Sequence, residues 1–335
     1  MQQITINESE AGGRLDKFLH RFMPKAPSSF FYKMLRKKNI TLNNKKAEGK
    51  EILSAGDVVN LYLSDETISN FQAGKKVSGT EFEEAYRQLK GIQVVYEDEH
   101  VLILDKPAGI LSQKAAPEDI SLNEWLVGYL LSEKEVPDNT RREALNMDRY
   151  RPSICNRLDR NTAGLVICAK TSAGSREMNR LIRSREVKKF YQLMVKGEVW
   201  QEETLEGYLL KDAVSNTVHL VNKSEDEAAY IKTRYYPVKQ FQDMTLVEAE
   251  LITGRSHQIR VHMAGIGHPV LGDYKYGNRS FNDYYKKNFQ INSQLLWACR
   301  LEFPELKAPF QALSKRKIEG SMPKTFKRLC ETRKA

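Results

Sequence analysis

No stretch of this 335-residue sequence is apolar for anything near the ~18 residues of a membrane-crossing helix. The opening residues MQQITINESE are polar and acidic, where a secretion signal would carry a basic start and an apolar run. A cytoplasmic location with no membrane partner is therefore expected. Cysteine is sparse: Cys155, Cys168, Cys299 and Cys330 are scattered and form no CxxC pair. That spacing argues against a disulfide framework and against a thiolate zinc cluster, so the four read as reduced thiols. No strand leads into a GxGxG-type loop, which argues against a Rossmann-type cofactor site and so against a methyltransferase. His257 and His262 lack the spacing and the glutamate of an HExxH helix, so no metal is expected either. No segment repeats at a fixed period.

What is present is positive charge. Lys and Arg number 53 against 43 Asp and Glu, a formal excess of +10. A polyanion such as RNA suits that balance, but many proteins carry it for solubility alone, so the charge needs a motif beside it. The length exceeds one ordinary compact core and favours two domains.

From Arg14 onward, Leu15, Phe18, Leu19 and Phe22 recur at helical spacing until Pro24. A second helix is expected after Pro27, with Ser28 or Ser29 as N-cap and Phe31, Met34 and Leu35 on its apolar side. Lys33, Arg36, Lys37 and Lys38 load its other face and its C-terminal end, which suits the helix dipole, and Asn39 stops it. A strand over 40–42, a basic turn over 43–46 containing Lys45 and Lys46, and an alternating strand over 58–63 follow. On residue chemistry alone this basic surface is either a solvated face or a phosphate-binding one. The order of elements resembles the α-L RNA-binding module of some ribosomal proteins. The resemblance implies a small α/β RNA-binding domain over 12–65 whose Lys33, Arg36, Lys37, Lys38, Lys45 and Lys46 meet phosphates.

Residues 66–90 read as a polar linker ending in a short helix, and a second domain spans 91–310. Strands over 92–96 and 101–104 open it, and the second runs into the turn Asp105-Lys106-Pro107-Ala108-Gly109. A capping box from Ser121 to Glu124 starts a helix with Leu122, Trp125, Leu126, Tyr129 and Leu130 on one side. Residues 132–151 are charged and read as a surface insertion; 311–335 read as a basic C-terminal tail. Short alternating segments over 165–169, 191–195, 230–236 and 245–251 suit antiparallel strands. The expected class is α+β: a catalytic domain on a mixed, mainly antiparallel sheet behind the small α/β N-terminal domain.

Three segments could carry chemistry. Residues 156–170 feed a polar loop dense in Arg and Asp through Gly164 into an apolar strand, a way of holding a carboxylate at the rim of a rigid sheet. An ordinary turn with local ion pairs remains the alternative. Residues 251–263 place Gly254 at a strand end before a helix capped by Ser256, with Ile259 and Met263 facing inward. Lys189-Phe190-Tyr191 opens an alternating strand that ends at Gly197. Taken singly, none decides.

Together the five motifs resemble those of the RluA/RluC/RluD-type RNA pseudouridine synthases, in the family's order: Asp105 to Gly109; Arg157-Leu158-Asp159 with Thr162-Ala163-Gly164 and Ala169-Lys170; Lys189 to Gly197; Thr253 to Met263; and Gly267 to Asp273. The match covers roughly 90–305, and an α-L module in front is what the large-subunit ribosomal members carry. Asn156 stands where the family usually has His, and Ala163 where it usually has Ser.

The resemblance implies isomerisation of uridine to pseudouridine in structured RNA, most of all large-subunit (23S) ribosomal RNA, by a monomer without cofactor or obligate protein partner. Asp159 would be the catalytic anion, either attacking the sugar or removing a proton from its 2′ carbon. Arg260 would lie against Asp159 and orient it. Arg157 would fill the gap left by the extruded uridine, and Tyr191 would stack on the extruded ring and can pass a proton at carbon 5. Arg160, Arg255 and His257 are further RNA-binding candidates. A non-catalytic RNA-binding protein is the rival reading; an uncharged residue at 159 would favour it, and the chain has Asp.

Overall fold

The computed structural model describes residues 2–7, 10–72, 79–132, 150–212, 217–223 and 225–332. Most of the expected insertion, 133–149, lies outside the described residues.

The N-terminal unit runs β1 (Gln2–Thr5), α1 (Leu15–Phe22), α2 (Ser28–Arg36), β2 (Ile40–Leu42), β3 (Lys45–Lys46), β4 (Val58–Leu61) and α3 (Asp65–Gln72). Its strands form a separate antiparallel sheet in the order β1-β4-β2-β3. Leu15, Phe18 and Leu19 of α1 and Phe31 and Leu35 of α2 are buried against Ile40, Val59 and Leu61. Each such side chain stabilises the unit by about 1.5–3 kcal/mol relative to exposure. Two local expectations need correction. The N-cap of α2 is Pro27, with no side-chain cap bond, because Ser28 Oγ is engaged by His20 Nε2 at 3.0 Å instead. The helix is closed by Lys38 in the left-handed region (φ 60°), one residue before Asn39.

The segment expected as a linker contains two helices. Ser64 starts α3 by accepting from Thr67 N, Asp65 and Glu66 complement its first turn, and Ile68 and Phe71 join the N-terminal core. Past it, α4 (Gly79–Gln88) packs on α5 (Leu122–Ser132) so closely that a Cβ at Gly128 would lie 2.2 Å from the Phe82 carbonyl oxygen. Only glycine fits there. The expected capping box at α5 is partly realised, since Ser121 Oγ donates to Glu124 Oε2 at 2.6 Å.

The second sheet contains β5 (Gln93–Glu97), β6 (Val101–Lys106), β7 (Ser153–Ile154), β8 (Ala163–Ala169), β9 (Lys188–Lys196), β10 (Glu203–Asp212), β11 (Thr217–Val221), β12 (Ala229–Gln240), β13 (Met244–Leu251), β14 (Leu296–Glu302) and β15 (Lys317–Glu319). Its order is β11-β10-β12-β13-β9-β14-β8-β6-β5, with β7 beside β8 and β15 beside β14. The β14–β8 pairing is parallel and the other described pairings are antiparallel, so the sheet is mixed and mainly antiparallel as expected. Strands β6 and β8 are buried along their whole length. Their two faces feed two different cores, Leu102, Leu104 and Val166 packing with α5, and Ile103, Leu165 and Ile167 with α6 (Ser172–Arg183). Such two-sided burial explains why they read as continuous apolar runs.

The C-terminal residues are not a tail. Strand β15 pairs with β14, and in the helix that follows, Lys324–Thr332, Phe326 and Leu329 are buried beside Trp297. The surrounding lysines and arginines hid that apolar pair. No helix among the described residues is long and apolar enough to cross a membrane.

Candidate active site

The loop from 155 to 162 enters β8 at a glycine for a steric reason. Gly164 has φ +112°, and a Cβ there would lie 2.2 Å from the Ala298 carbonyl oxygen of parallel strand β14. The loop's main chain is pinned on both sides of Asp159. Ser112 Oγ donates to the Leu158 carbonyl at 2.7 Å and accepts from Leu158 N at 3.0 Å. Lys106, fully buried at the end of β6, donates through Nζ to the carbonyls of Pro107, Ile110 and Arg160 at 3.0, 2.9 and 3.1 Å. Three carbonyls match its three ammonium protons. Burial pushes the Lys106 ammonium down to about 7.

Asp159, with its side chain 28% exposed, faces an arginine brought by another element. Helix α7 (Gln258–Gly265) follows β13 and carries Arg260, whose Nη1 donates to Asp159 Oδ2 at 3.1 Å. Its Nε and Nη2 donate to the two oxygens of Asp273 at 2.7 and 2.8 Å, a two-pronged pair. Asp273 Oδ1 also accepts from the backbone N–H groups of Lys275 and Tyr276. Burial alone would raise the Asp273 carboxyl, but Arg260 and those two donors outweigh it and hold it below its ordinary value.

The start of α7 corrects an expectation, since Ser256 does not cap it. The N-cap is His257, in the left-handed region at φ 55° with no side-chain cap bond. Gln258 stabilises the turn instead: its Oε1 accepts from Arg255 N and Thr253 Oγ1, and its Nε2 donates to Lys232 O and Thr233 Oγ1 on β12. With the turn held this way, His257 Nε2 lies 3.8 Å from Asp159 Oδ2 and its Nδ1 lies 2.8 Å from the Tyr276 hydroxyl. Burial pushes the His257 imidazole below its ordinary value, the Asp159 charge opposing. Tyr191, on β9, is 6% exposed; burial first and the Asp159 charge second raise its hydroxyl well above the ordinary tyrosine value.

Asp159, Tyr191, His257, Gln258 and Arg260 line one open cleft of about 960 Å³. Among the described residues that line it, ten are Lys or Arg and one, Asp159, is a carboxylate. Arg157, Arg160 and Arg255 are exposed at its walls. Asp159, Tyr191, Arg260, Arg157, Arg160, Arg255 and His257 are thus brought together. Lys33, Arg36, Lys37, Lys38, Lys45 and Lys46 are not: all six are exposed on the N-terminal unit, away from the cleft lining. Sequence reasoning gave no role to Lys106, Ser112, Gln258, Asp273 or Tyr276. Lys106, Gln258 and Asp273 lay inside motifs already singled out, so their signal was position in a motif without a contact to explain it. No group of three or more His, Cys, Asp or Glu among the described residues is arranged to hold a metal ion.

Known proteins are similar to this chain over most of its length. A family model described as RNA pseudouridylate synthase matches residues 100–265, which contain Asp159, Tyr191 and Arg260. The ribosomal large subunit pseudouridine synthase C of Vibrio cholerae is 31% identical over 323 residues, covering 93% of this chain and 94% of that protein. Its namesake from Escherichia coli is 28% identical over 308 residues, covering 90% of this chain and 88% of the relative. In fold, the solved structure of human RNA pseudouridylate synthase domain containing 4 superposes with a TM-score of 0.56 at 19% identity, covering 76% of this chain and 98% of that one. Since the Vibrio cholerae relative is 31% identical over nearly the whole of both chains, and the family model matches the segment that holds the cleft's central residues, this chain belongs to the RNA pseudouridylate synthase family.

Proposed function

We propose that the chain converts uridine to pseudouridine in large-subunit ribosomal RNA, with Asp159 as the carboxylate that acts on the sugar. The observation that carries the reading is the lone carboxylate of Asp159, held by Arg260, in a cleft where ten of the described lining residues are Lys or Arg. Polyanionic RNA is attracted to such a cleft, and the single anion within it is left to do chemistry. The names of the relatives support the choice of RNA.

The reaction breaks the bond between ribose and the uracil N1, turns the retained base, and joins the ribose to carbon 5, with a proton lost from that carbon and one gained at N1. No redox change occurs. Because the leaving uracil delocalises its charge and stays in the site, one carboxylate suffices, unlike the pair of a typical glycosidase. Asp159 acts either by attacking the sugar or by taking a proton from its 2′ carbon. A uridine within a stem must leave the stack at a cost of a few kcal/mol. In this reading Arg157 fills the vacated space, Tyr191 stacks on the extruded ring, and Arg160, Arg255 and His257 contact the RNA. Residues 12–65 hold the RNA through the six exposed N-terminal cations. The enzyme acts as a cytoplasmic monomer without an obligate protein partner.

The test is chemical mapping of pseudouridine in ribosomal RNA from a strain lacking the gene, and again after the purified protein is added to that RNA. Loss of one or more sites in the strain, restored by the protein, is expected. An unchanged map together with no conversion in vitro overturns the reading.

A further inference from the structure

Lys189 is a buried cation that no counter-charge meets among the described residues. It lies on β9 two residues before Tyr191, hence on the same face of the strand, about 6–7 Å along it. Its residue is 9% exposed, yet it lines the cleft. Among the described residues neither an ion-pair partner nor a side-chain hydrogen-bond partner meets its ammonium, in contrast to Lys106, which has three carbonyls. What surrounds it is a gap and more positive charge. Its Nζ lies against the turn at Gly254, 3.6 Å from where a Cβ would stand there. Arg183 and Arg185, at the junction of α6 and β9, also line the cleft and have no carboxylate partner among the described residues, and Arg185 is held in the left-handed region at φ 63°. The charge of Arg185 and, above all, burial push the Lys189 ammonium below its ordinary value. A chain under selection for stability alone would fill that place with an apolar or paired side chain.

From this geometry we propose that Lys189 binds an RNA phosphate flanking the uridine that stacks on Tyr191, with Arg185 as the outer part of the same phosphate site. The site deepens the proposed reaction and rests on it for the identity of the neighbouring base. A phosphate supplies the missing negative charge, and the two-residue offset along one strand places it within a nucleotide's reach of the base bound at Tyr191. Lys189 would then tether the backbone while the base is out of the stack, and the stability given up in the free protein is recovered on binding.

The experiment compares the full-length protein with Lys189→Met and Lys189→Arg. It uses a large-subunit ribosomal RNA transcript titrated at several salt concentrations, thermal unfolding of each free protein, and pseudouridine formation by the wild type. For Lys189→Met, affinity is expected to fall about tenfold or more, and the slope of log affinity against log salt to shrink by about 0.7–0.9. The free variant is expected to unfold higher than wild type, by on the order of 2 °C, because an uncompensated buried charge is gone. Lys189→Arg should keep the slope. A lower unfolding temperature with an unchanged slope would make Lys189 a structural residue and overturn the proposal, as would unchanged affinity. If the wild type binds and the variants behave as expected but no pseudouridine forms, the phosphate site stands and the proposed reaction falls. If product forms and the slopes are equal, the phosphate site falls alone.

Discussion

Arg260 meets Asp159 through one nitrogen only, Nη1 at 3.1 Å, because its Nε and Nη2 are already taken by Asp273 at 2.7 and 2.8 Å. The division sets the roles of the two carboxylates. Asp273 is 1% exposed and accepts from two backbone N–H groups as well, so it is an anchor with no room for a substrate. Among the described residues Asp159 Oδ1 meets no partner, and more than a quarter of the side-chain surface is open to the cleft. A rigid cation on one side and open space on the other are what a carboxylate needs in order to act on a bound sugar.

Asp159→Asn preserves the shape of the side chain and removes its charge. Pseudouridine formation is expected to fall by several orders of magnitude while RNA affinity survives. Single-turnover rates and a binding titration check this; a rate within about tenfold of wild type would remove Asp159 from the chemistry.

Asp273→Asn should act at a distance. The variant leaves Arg260 buried with its charge poorly matched, for which a stability loss of about 3–5 kcal/mol is expected in denaturant unfolding. It also frees Arg260 to swing, and a misplacement of this kind reduces turnover by on the order of 100-fold. RNA affinity should change little, since Asp273 is buried beneath the cleft. A turnover equal to wild type at saturating RNA would mean that Asp159 needs no such orientation.

The contrast between these two residues shows what was legible in the sequence. Asp159 could be picked out because its loop has local signals: charged residues, Gly164 at a strand entry and an apolar run after it. The helices α1 and α2 were legible for the same reason, their apolar faces repeating within a few residues. Asp273, Lys106 and Gln258 act through partners that the chain brings together only on folding, up to 54 residues apart in the case of Lys106 and Arg160. Their types and spacing carry no trace of those contacts. Helix α3 and the folded C-terminus were missed for a different reason. Helix α3 sets only Ile68 and Phe71 into the core, and the C-terminus buries Leu313, Ile318, Phe326 and Leu329 at irregular spacing among many polar residues, so neither has a periodicity strong enough to separate it from a linker or a tail.

Tyr191→Phe tests whether the hydroxyl does more than the ring. Stacking should persist, whereas a proton passed at carbon 5 could not be. A reduced single-turnover rate at unchanged RNA affinity is expected. Equal rates would leave Tyr191 a stacking surface only.

Lys106 makes stability depend on pH in a stated direction. Its folded-state value is about 7, against an ordinary 10.5. Between those limits the unfolded chain holds the proton and the folded protein has partly released it. Stability therefore rises with pH across that window, by at most about 1.4 kcal/mol per pH unit from this group. Lys106→Met removes that contribution, so the wild type's stability should climb more steeply than the variant's in denaturant unfolding at pH 7, 8.5 and 10. The variant should also be less stable at pH 7, because three carbonyls lose their donor, at about 1–3 kcal/mol for each buried one left unpaired. Parallel pH profiles would show that Lys106 keeps its proton throughout, held by those same carbonyls.

The six N-terminal cations separate grip on the RNA from chemistry. Lys33, Arg36, Lys37 and Lys38 lie along α2 and just beyond its end, the chain runs from there into β2, and β3, which carries Lys45 and Lys46, pairs with β2. All six are exposed, so changing them together to Gln leaves the core of Leu15, Phe18, Phe31 and Val59 intact. If they meet phosphates, each lost contact should flatten the slope of log affinity against log salt by about 0.7–0.9. Affinity for ribosomal RNA should then fall most at low salt, where counterion release contributes most. The rate at saturating RNA should stay near wild type, because none of the six lines the cleft that holds Asp159. Binding titrations at several salt concentrations with single-turnover assays alongside decide the matter. An identical slope in both proteins would mean that this face does not touch the RNA backbone, and the N-terminal unit would then be reassigned to protein contacts. A slower rate at saturation with an unchanged slope would instead tie the unit to the cleft itself, a coupling that the separate cores of the two parts argue against.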